Sequence, residues 1–303
     1  MQITAQMVKD LREKTGAGMM KCKEALAECN GNLEEAIDFL RKKGLASADK
    51  RSGRATSQGL VIPLTTADRR TAAIVEVNCE TDFVARNDDF GTFANKIAEL
   101  VLNNPSVKTV EDLNKLSIEG QSVEEFVKTM IAKTGENISV SRAEHIEFAK
   151  GKYGIFDSYI HGEGSIGVLV QLSTATEEAA KNAEVTHYAH EIALQAAAMK
   201  PSYTFRSEVP TETLQREKEV ILGQISNDPK NAGKPENILA KIVEGRIDKY
   251  CKENCLVEQM YVKDDSKSIT DMTNDLSKKI GAKAEVVTFR RWARGEAAAA
   301  EAS

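Results

Sequence analysis

Several residue groups in this chain have types and spacings from which chemistry could be built. Gly162-Glu-Gly164-Ser-Ile-Gly167 fits the dinucleotide pattern GxGxxG, in which glycines let a pyrophosphate approach a helix N-terminus. That use needs a strand before the motif and a helix after it. Here VLVQL follows, a strand, so the glycines read as a hairpin turn. His187 and His190 stand three apart on a predicted helix, but no third metal ligand can be placed beside them, and surface or packing roles are the better reading. Cys251 and Cys255 could share a helix face, yet C-x3-C with no histidine nearby is weak evidence for zinc, and small buried thiols fit better. No GxxxxGK[ST] loop occurs, and no serine or cysteine stands in a nucleophile-elbow context. The many acidic residues read as solvated helix faces. Nothing assembles a catalytic set, a metal site or a cofactor site.

The stretch NCETDFVARN, residues 78–87, poses a different question. It joins an apolar strand, TAAIVEV, to a helix, DDFGTFANKIAELV. A phenylalanine, Phe83, follows Glu80, Thr81 and Asp82 where a connection is usually polar. The plain reading is an anchor tucked under the strand–helix corner. An internal repeat argues otherwise. GLVIPLTTADRRTAAIVEVN (59–78) aligns with GIFDSYIHGEGSIGVLVQLS (154–173) at an offset of 95, and FANKIAEL with YAHEIALQ at the same offset. In that register Thr81, Asp82 and Phe83 fall on Thr176, Glu177 and Glu178. A fold that needed an aromatic there would carry one in both copies, so Phe83 points to a task beyond folding.

The elements that position these residues follow from periodicity. Thr4 can cap a helix with Met7, Val8 and Leu11 on one stripe. TGAG (15–18) stops it, Met19, Cys22, Ala25 and Leu26 recur at helical spacing, and Leu33, Ala36, Ile37 and Leu40 make a third stripe ended by Gly44. Of the adjacent methionines Met19 and Met20, one should point outward. SADKRSGRATSQ (47–58) has no periodicity and reads as a flexible linker that lets the bundle move. Each repeat copy reads as a β-hairpin and a helix. SVEEFVKTMIAKTGENISV (122–140) then matches SITDMTNDLSKKIGAKAEV (268–286) at an offset of 146, adding a helix, a glycine stop and a third strand. The larger offset implies an insert in the second copy between about Ser207 and Glu258, with two apolar helical stripes that predict an antiparallel hairpin.

The expected fold is therefore α+β: a three-helix bundle (1–46), the linker, and two related units (59–148 and 149–295). Each unit is a three-stranded antiparallel sheet with helices, the second carries the hairpin, and a low-complexity tail (296–303) follows. The chain has 303 residues, 41% of them hydrophobic and 29% charged, enough to bury a core. A net charge of −5 argues against binding nucleic acid through a basic field and leaves room for a protein partner. No apolar run is long enough to span a membrane, the N-terminus has no signal core, and five scattered cysteines suit reduced thiols. The expected location is cytoplasmic.

TAQMVKDLREKTGAGMMKCKEAL, VNCETDFVARND, TGENISV and IGVLV together resemble the bacterial elongation factor Ts family, the guanine-nucleotide exchange factors of elongation factor Tu. The likeness runs in order over almost the whole chain. It implies a ubiquitin-associated-like N-terminal bundle, a core of two related subdomains and an inserted coiled-coil hairpin. It implies binding to elongation factor Tu in its GDP-bound and nucleotide-free states, with no cofactor, no nucleic acid, no membrane and no chemical catalysis. Asp82 and Phe83 match family residues that enter the partner's GTPase domain near its Mg²⁺ site, and Thr81 to Val84 match the segment tied to magnesium displacement. Arg12, Met19 and Met20 match bundle residues that touch the same domain. Two departures stand out. Gln195 lies where the family's contact helix in the second subdomain can carry a histidine, and the chain ends soon after Trp292, where some members have a longer module. A homodimer and a two-plus-two complex with the partner stay open. So does an alternative function, a ubiquitin-associated-type adaptor without exchange activity, which would bind ubiquitin through residues 1–46. An enzyme acting on a small molecule held between the subdomains ranks third.

Overall fold

The structure, a computed structural model, describes residues 3–228 and 234–296. Three helices come first: α1 (Ala5–Thr15), α2 (Met19–Glu28) and α3 (Leu33–Asp49). Thr4 caps α1, its hydroxyl accepting the Met7 N–H, and Gly16 ends it in the left-handed conformation. Val8, Leu11, Cys22, Ala25, Leu26 and Ala36 form the bundle's core. The third helix does not stop at Gly44. It runs on to Asp49, so residues 47–49, expected in the linker, are helical. Gly44 has another use: a Cβ there would lie 2.8 Å from the Cβ of Ala132. Helical spacing alone cannot separate a glycine that ends a helix from one that admits a neighbouring helix. The bundle is thus packed on the first unit rather than loosely tethered to it.

The first unit contains β1 (Gln58–Thr65), β2 (Thr71–Cys79), α4 (Asp82–Ala85), α5 (Asp88–Leu102), α6 (Val110–Asn114), a small hairpin of β3 (Ser117–Ile118) and β4 (Gln121–Ser122), α7 (Val123–Thr134) and β5 (Ile138–Glu147). The second contains β6 (Tyr153–His161), β7 (Ile166–Thr174), α8 (Glu177–Ala180), α9 (Ala183–Met199), α10 (Thr211–Asn227), α11 (Glu236–Asn254), a small hairpin of β8 (Met260–Tyr261) and β9 (Asp264–Ser268), α12 (Ile269–Ile280) and β10 (Ala284–Ala293). The main sheets are antiparallel, in the orders β1-β2-β5 and β6-β7-β10. This is the α+β architecture expected from the sequence.

The repeat extends to individual bonds. Gly59 and Gly154 have φ of 138° and 149°, and a Cβ on either would sit 2.1 Å or 2.0 Å from a carbonyl oxygen of the facing strand. Asn87 and Asn182 cap α5 and α9. Ser122 and Ser268 each head a capping box, and Gly135 and Gly281 end α7 and α12 in the left-handed conformation.

The two sheets pack face to face through Val61, Ala72, Ile74, Phe156 and Leu169. Helices α5 and α7 cover the outer face of the first, and α9 and α12 that of the second. Strand β2 is consequently buried on both faces, which is why TAAIVEV reads as an unbroken apolar run. The glycines of the GxGxxG look-alike serve this contact: a Cβ on Gly164 or Gly167 would come within 2.6 Å of Leu60 or Val61. The insert forms two helices joined by Ile221, Ile225 and Val243, with Val209, Cys251 and Cys255 at their base. Its expected turn falls partly outside the described residues. Leu256, inside the expected insert, belongs to the core of the second unit. Among the described residues no helix is long and apolar enough to cross a membrane.

Candidate interaction surface

The Phe83 turn is built by three local devices. Strand β2 ends at Cys79, whose thiol donates to the Thr81 carbonyl at 3.2 Å. Thr81 then adopts an extended conformation and caps α4, its hydroxyl accepting the Val84 N–H. Asn87 restarts the chain as α5 by accepting the Asp89 N–H at 2.8 Å. One turn of helix is therefore held at both ends. Ala85 is buried in the first unit's core and Val84 packs partly against it, which leaves the ring of Phe83 on the outside, 84% exposed. Asp82 is half-buried, 3.8 Å from Arg86, which also lies 3.5 Å from Glu163 in the β6–β7 turn. A groove of about 630 Å³, lined in part by Ala85, Arg86, Asn87 and Glu163, opens beside the turn.

The turn is also clamped from the α7–β5 connection. The Glu136 carboxylate accepts the Thr81 N–H at 3.0 Å and the Thr81 hydroxyl. Glu80 accepts the Asn137 N–H at 2.6 Å and lies 3.4 Å from Arg54. The Asn137 amide donates to the carbonyl of Arg54 at 2.7 Å. TGEN and CETDF are thus two sides of one hydrogen-bonded corner. Burial, reinforced by the charge of Glu136, pushes the Cys79 thiol up to about 12, so it stays protonated and unreactive.

On the bundle, Met19 and Met20 begin α2 and are 57% and 77% exposed. Both point outward, not one, because at the first turn of a helix neither has a preceding turn to pack on. Arg12 is exposed on α1. The bundle's TGAG turn reaches the first unit at Lys133: a Cβ on Gly16 would lie 3.0 Å from that side chain, whose ammonium is 2.7 Å from Asp89 at the start of α5. The turn preceding Met19 is thereby linked to the helix that follows Phe83.

Gln195 is elsewhere and differently employed. It is fully buried, donating to Gln259 and Met260 and accepting the Val262 N–H, so it fastens the β8–β9 hairpin to α9. A direct contact with another protein would require those bonds to open. His190 bonds to Asp157 at 3.1 Å, and Cys251 and Cys255 are buried together at the foot of the insert. Among the described residues no group of three or more His, Cys, Asp and Glu side chains is placed to hold a metal. Sequence periodicity missed Glu80, Glu136 and Asn137, because their bonds join segments more than fifty residues apart.

A capped, clamped turn that offers an aromatic ring to solvent, beside a bundle that offers two exposed methionines, marks an α+β repeat protein with no assembled catalytic set among the described residues. Comparison with known proteins places it further. Residues 80–296 match the family model described as elongation factor TS. The chain is 44% identical over 295 residues to "Elongation factor Ts" of Clostridium perfringens, covering 97% of this chain and 93% of that one. It is 46% identical over 298 residues to that of Clostridium kluyveri, with the same coverage of both chains, and equally similar over 297 to that of Clostridium botulinum. The chain belongs to the elongation factor Ts family, whose members are elongation factors of protein biosynthesis.

Proposed function

We propose that this chain binds elongation factor Tu in its GDP-bound form and promotes GDP release and GTP loading, as an exchange factor in the cytoplasm that performs no chemistry itself. Phe83 enters the partner's GTPase domain as an apolar wedge. Asp82 competes for the groups that organise its Mg²⁺ and phosphates, with Thr81 and Val84 fixing the turn, while Arg12, Met19 and Met20 hold the domain from the bundle. The observation that carries the reading is the ring of Phe83, exposed on a rigidly held turn, where the second unit has Glu178.

The physics needs no catalytic group. GDP is held partly because Mg²⁺ bridges phosphate and protein. A factor that binds the nucleotide-free state better than the loaded state weakens GDP by the same ratio, since linkage is mutual. Each difference of about 1.4 kcal/mol is worth tenfold, and burial of one aromatic ring supplies about 1.5–3 kcal/mol. Calorimetric titration of the chain into nucleotide-free and into GDP·Mg²⁺-loaded elongation factor Tu tests the linkage. Tighter binding to the nucleotide-free form is expected, and equal affinities would reject the proposal.

A further inference from the structure

The internal repeat allows the corner beneath Phe83 to be compared with its counterpart in the second unit. The two agree bond for bond in the parts that make the turn. Cys79 and Thr174 each donate to the carbonyl two residues on, at 3.2 Å and 2.8 Å. Thr81 and Thr176 each cap a single helical turn by accepting the N–H three residues on. Gly135 and Gly281 each end the helix that leads into the third strand. The clamp is what differs. Glu80 has Ala175 as its counterpart, and Glu136 and Asn137 have Ala282 and Lys283. The turn of α8 therefore forms and is capped with no carboxylate on Thr176, its corner being tied instead by the Ala175 N–H on the Lys283 carbonyl at 2.9 Å, so the fold does not require the carboxylates of the clamp. The unit that has it is the one that presents Phe83.

We propose that Glu136, supported by Glu80 and Asn137, is a positioning residue for exchange, a role that rests on the exchange reading above. Its carboxylate takes both the N–H and the hydroxyl of Thr81. Charge-assisted bonds of this kind are stronger than neutral ones, and two on one residue fix the first backbone unit of α4. The ring of Phe83 then meets its partner with little orientational freedom left to lose, the general advantage of preorganisation. Asn137 widens the frame. Its backbone N–H is held by Glu80 while its amide holds the carbonyls of Arg54 and Ser52, at 2.7 Å and 3.4 Å. The segment leaving the bundle is fixed by the same two-residue stretch as the turn, so Met20 and Phe83 share one frame.

The test is stopped-flow release of fluorescent GDP from elongation factor Tu by the wild-type chain, Glu136→Ala, Glu136→Gln, Phe83→Ala and the double variant Glu136→Ala/Phe83→Ala, with amide hydrogen exchange on the free chains. Glu136→Ala should slow catalysed release about three- to tenfold and speed solvent exchange of the Thr81 and Val84 amides. Glu136→Gln, whose amide oxygen still accepts the Thr81 N–H, should recover part of both. The double variant should be only slightly slower than Phe83→Ala alone, because of the side chains the turn presents only Asp82 is left to position; a general loss of folded protein would instead multiply the two effects. A wild-type rate for Glu136→Ala, or a multiplicative double variant, overturns the positioning role while leaving the exchange reading intact. A wild-type chain that leaves GDP release at its spontaneous rate removes that reading and this inference together.

Discussion

Replacing Phe83 with alanine removes a ring that the free chain scarcely uses. The turn is held by the Thr81 cap, the Glu136 clamp and the buried side chain of Ala85, none of which needs the ring. With 84% of Phe83 exposed, the loss in the free chain is that of a surface substitution, within about 0.5 kcal/mol. In a chain of this size that moves Tm by no more than about 2 °C. In the complex the balance reverses. Most of the ring's apolar surface is still available for burial, and full burial of a phenylalanine is worth about 1.5–3 kcal/mol. If the ring is buried in the exchange intermediate, Phe83→Ala slows catalysed GDP release by about ten- to a hundredfold. Stopped-flow release of fluorescent GDP, with thermal unfolding of the same sample, reads both quantities. A variant that melts several degrees lower yet exchanges normally per folded molecule would make Phe83 a structural anchor and not a wedge. Asp82→Ala should slow release by less and leave Tm nearly unchanged, since its long pairing with the exposed Arg86, at 3.8 Å, contributes little to the stability of the free chain.

Gly44→Ala places a methyl group 2.8 Å from Ala132 Cβ, so it should lower stability by about 1–3 kcal/mol in urea unfolding, and Ala132→Gly should restore part of the loss. Replacing residues 215–246 with a short linker should leave a cooperative thermal transition, because the base cluster with Cys251 and Cys255 remains. Extending the deletion through Glu258 removes Leu256 from the second unit's core and should lower Tm sharply; equal melting of the two deletions would show that Leu256 adds nothing. Deleting residues 1–46 should weaken association with elongation factor Tu in the same titration, and unchanged affinity would take Met19 and Met20 out of the surface. The thiols of Cys79 and Cys255 are both pushed up to about 12, chiefly by burial. Raised folded pKa values give a contribution to stability that is whole below pH 9 and lost as pH rises towards 12. Tm should fall over that alkaline range, and the fall should be shallower in Cys79→Ala.

The repeat was legible because it rests on local rules that leave marks in sequence. Glycines facing a strand carbonyl, Thr and Asn caps, Ser capping boxes and left-handed glycine stops recur at fixed offsets, and strand burial on two faces makes TAAIVEV apolar throughout. The exposure of Phe83 was legible for the same reason, since the repeat sets Glu178, a residue suited to solvent, in its place. What stayed hidden depends on residues distant in sequence. Gly44 looks like a helix stop until α7 is set against it. Gln195 looks like a surface residue of a contact helix until the β8–β9 hairpin closes over it. Glu136 and Asn137 sit in a short connection with no periodicity, and their purpose appears only when β5 is paired with β2, bringing TGEN against CETDF.

The central claim, that this chain drives nucleotide exchange through a presented aromatic turn, is tested most directly by release of fluorescent GDP from elongation factor Tu at fixed Mg²⁺, with excess unlabelled nucleotide and increasing amounts of the wild-type chain. The release rate is expected to rise with the chain's concentration and to saturate about tenfold or more above the spontaneous rate. A rate that stays at the spontaneous value at every concentration, with the chain folded, would contradict it.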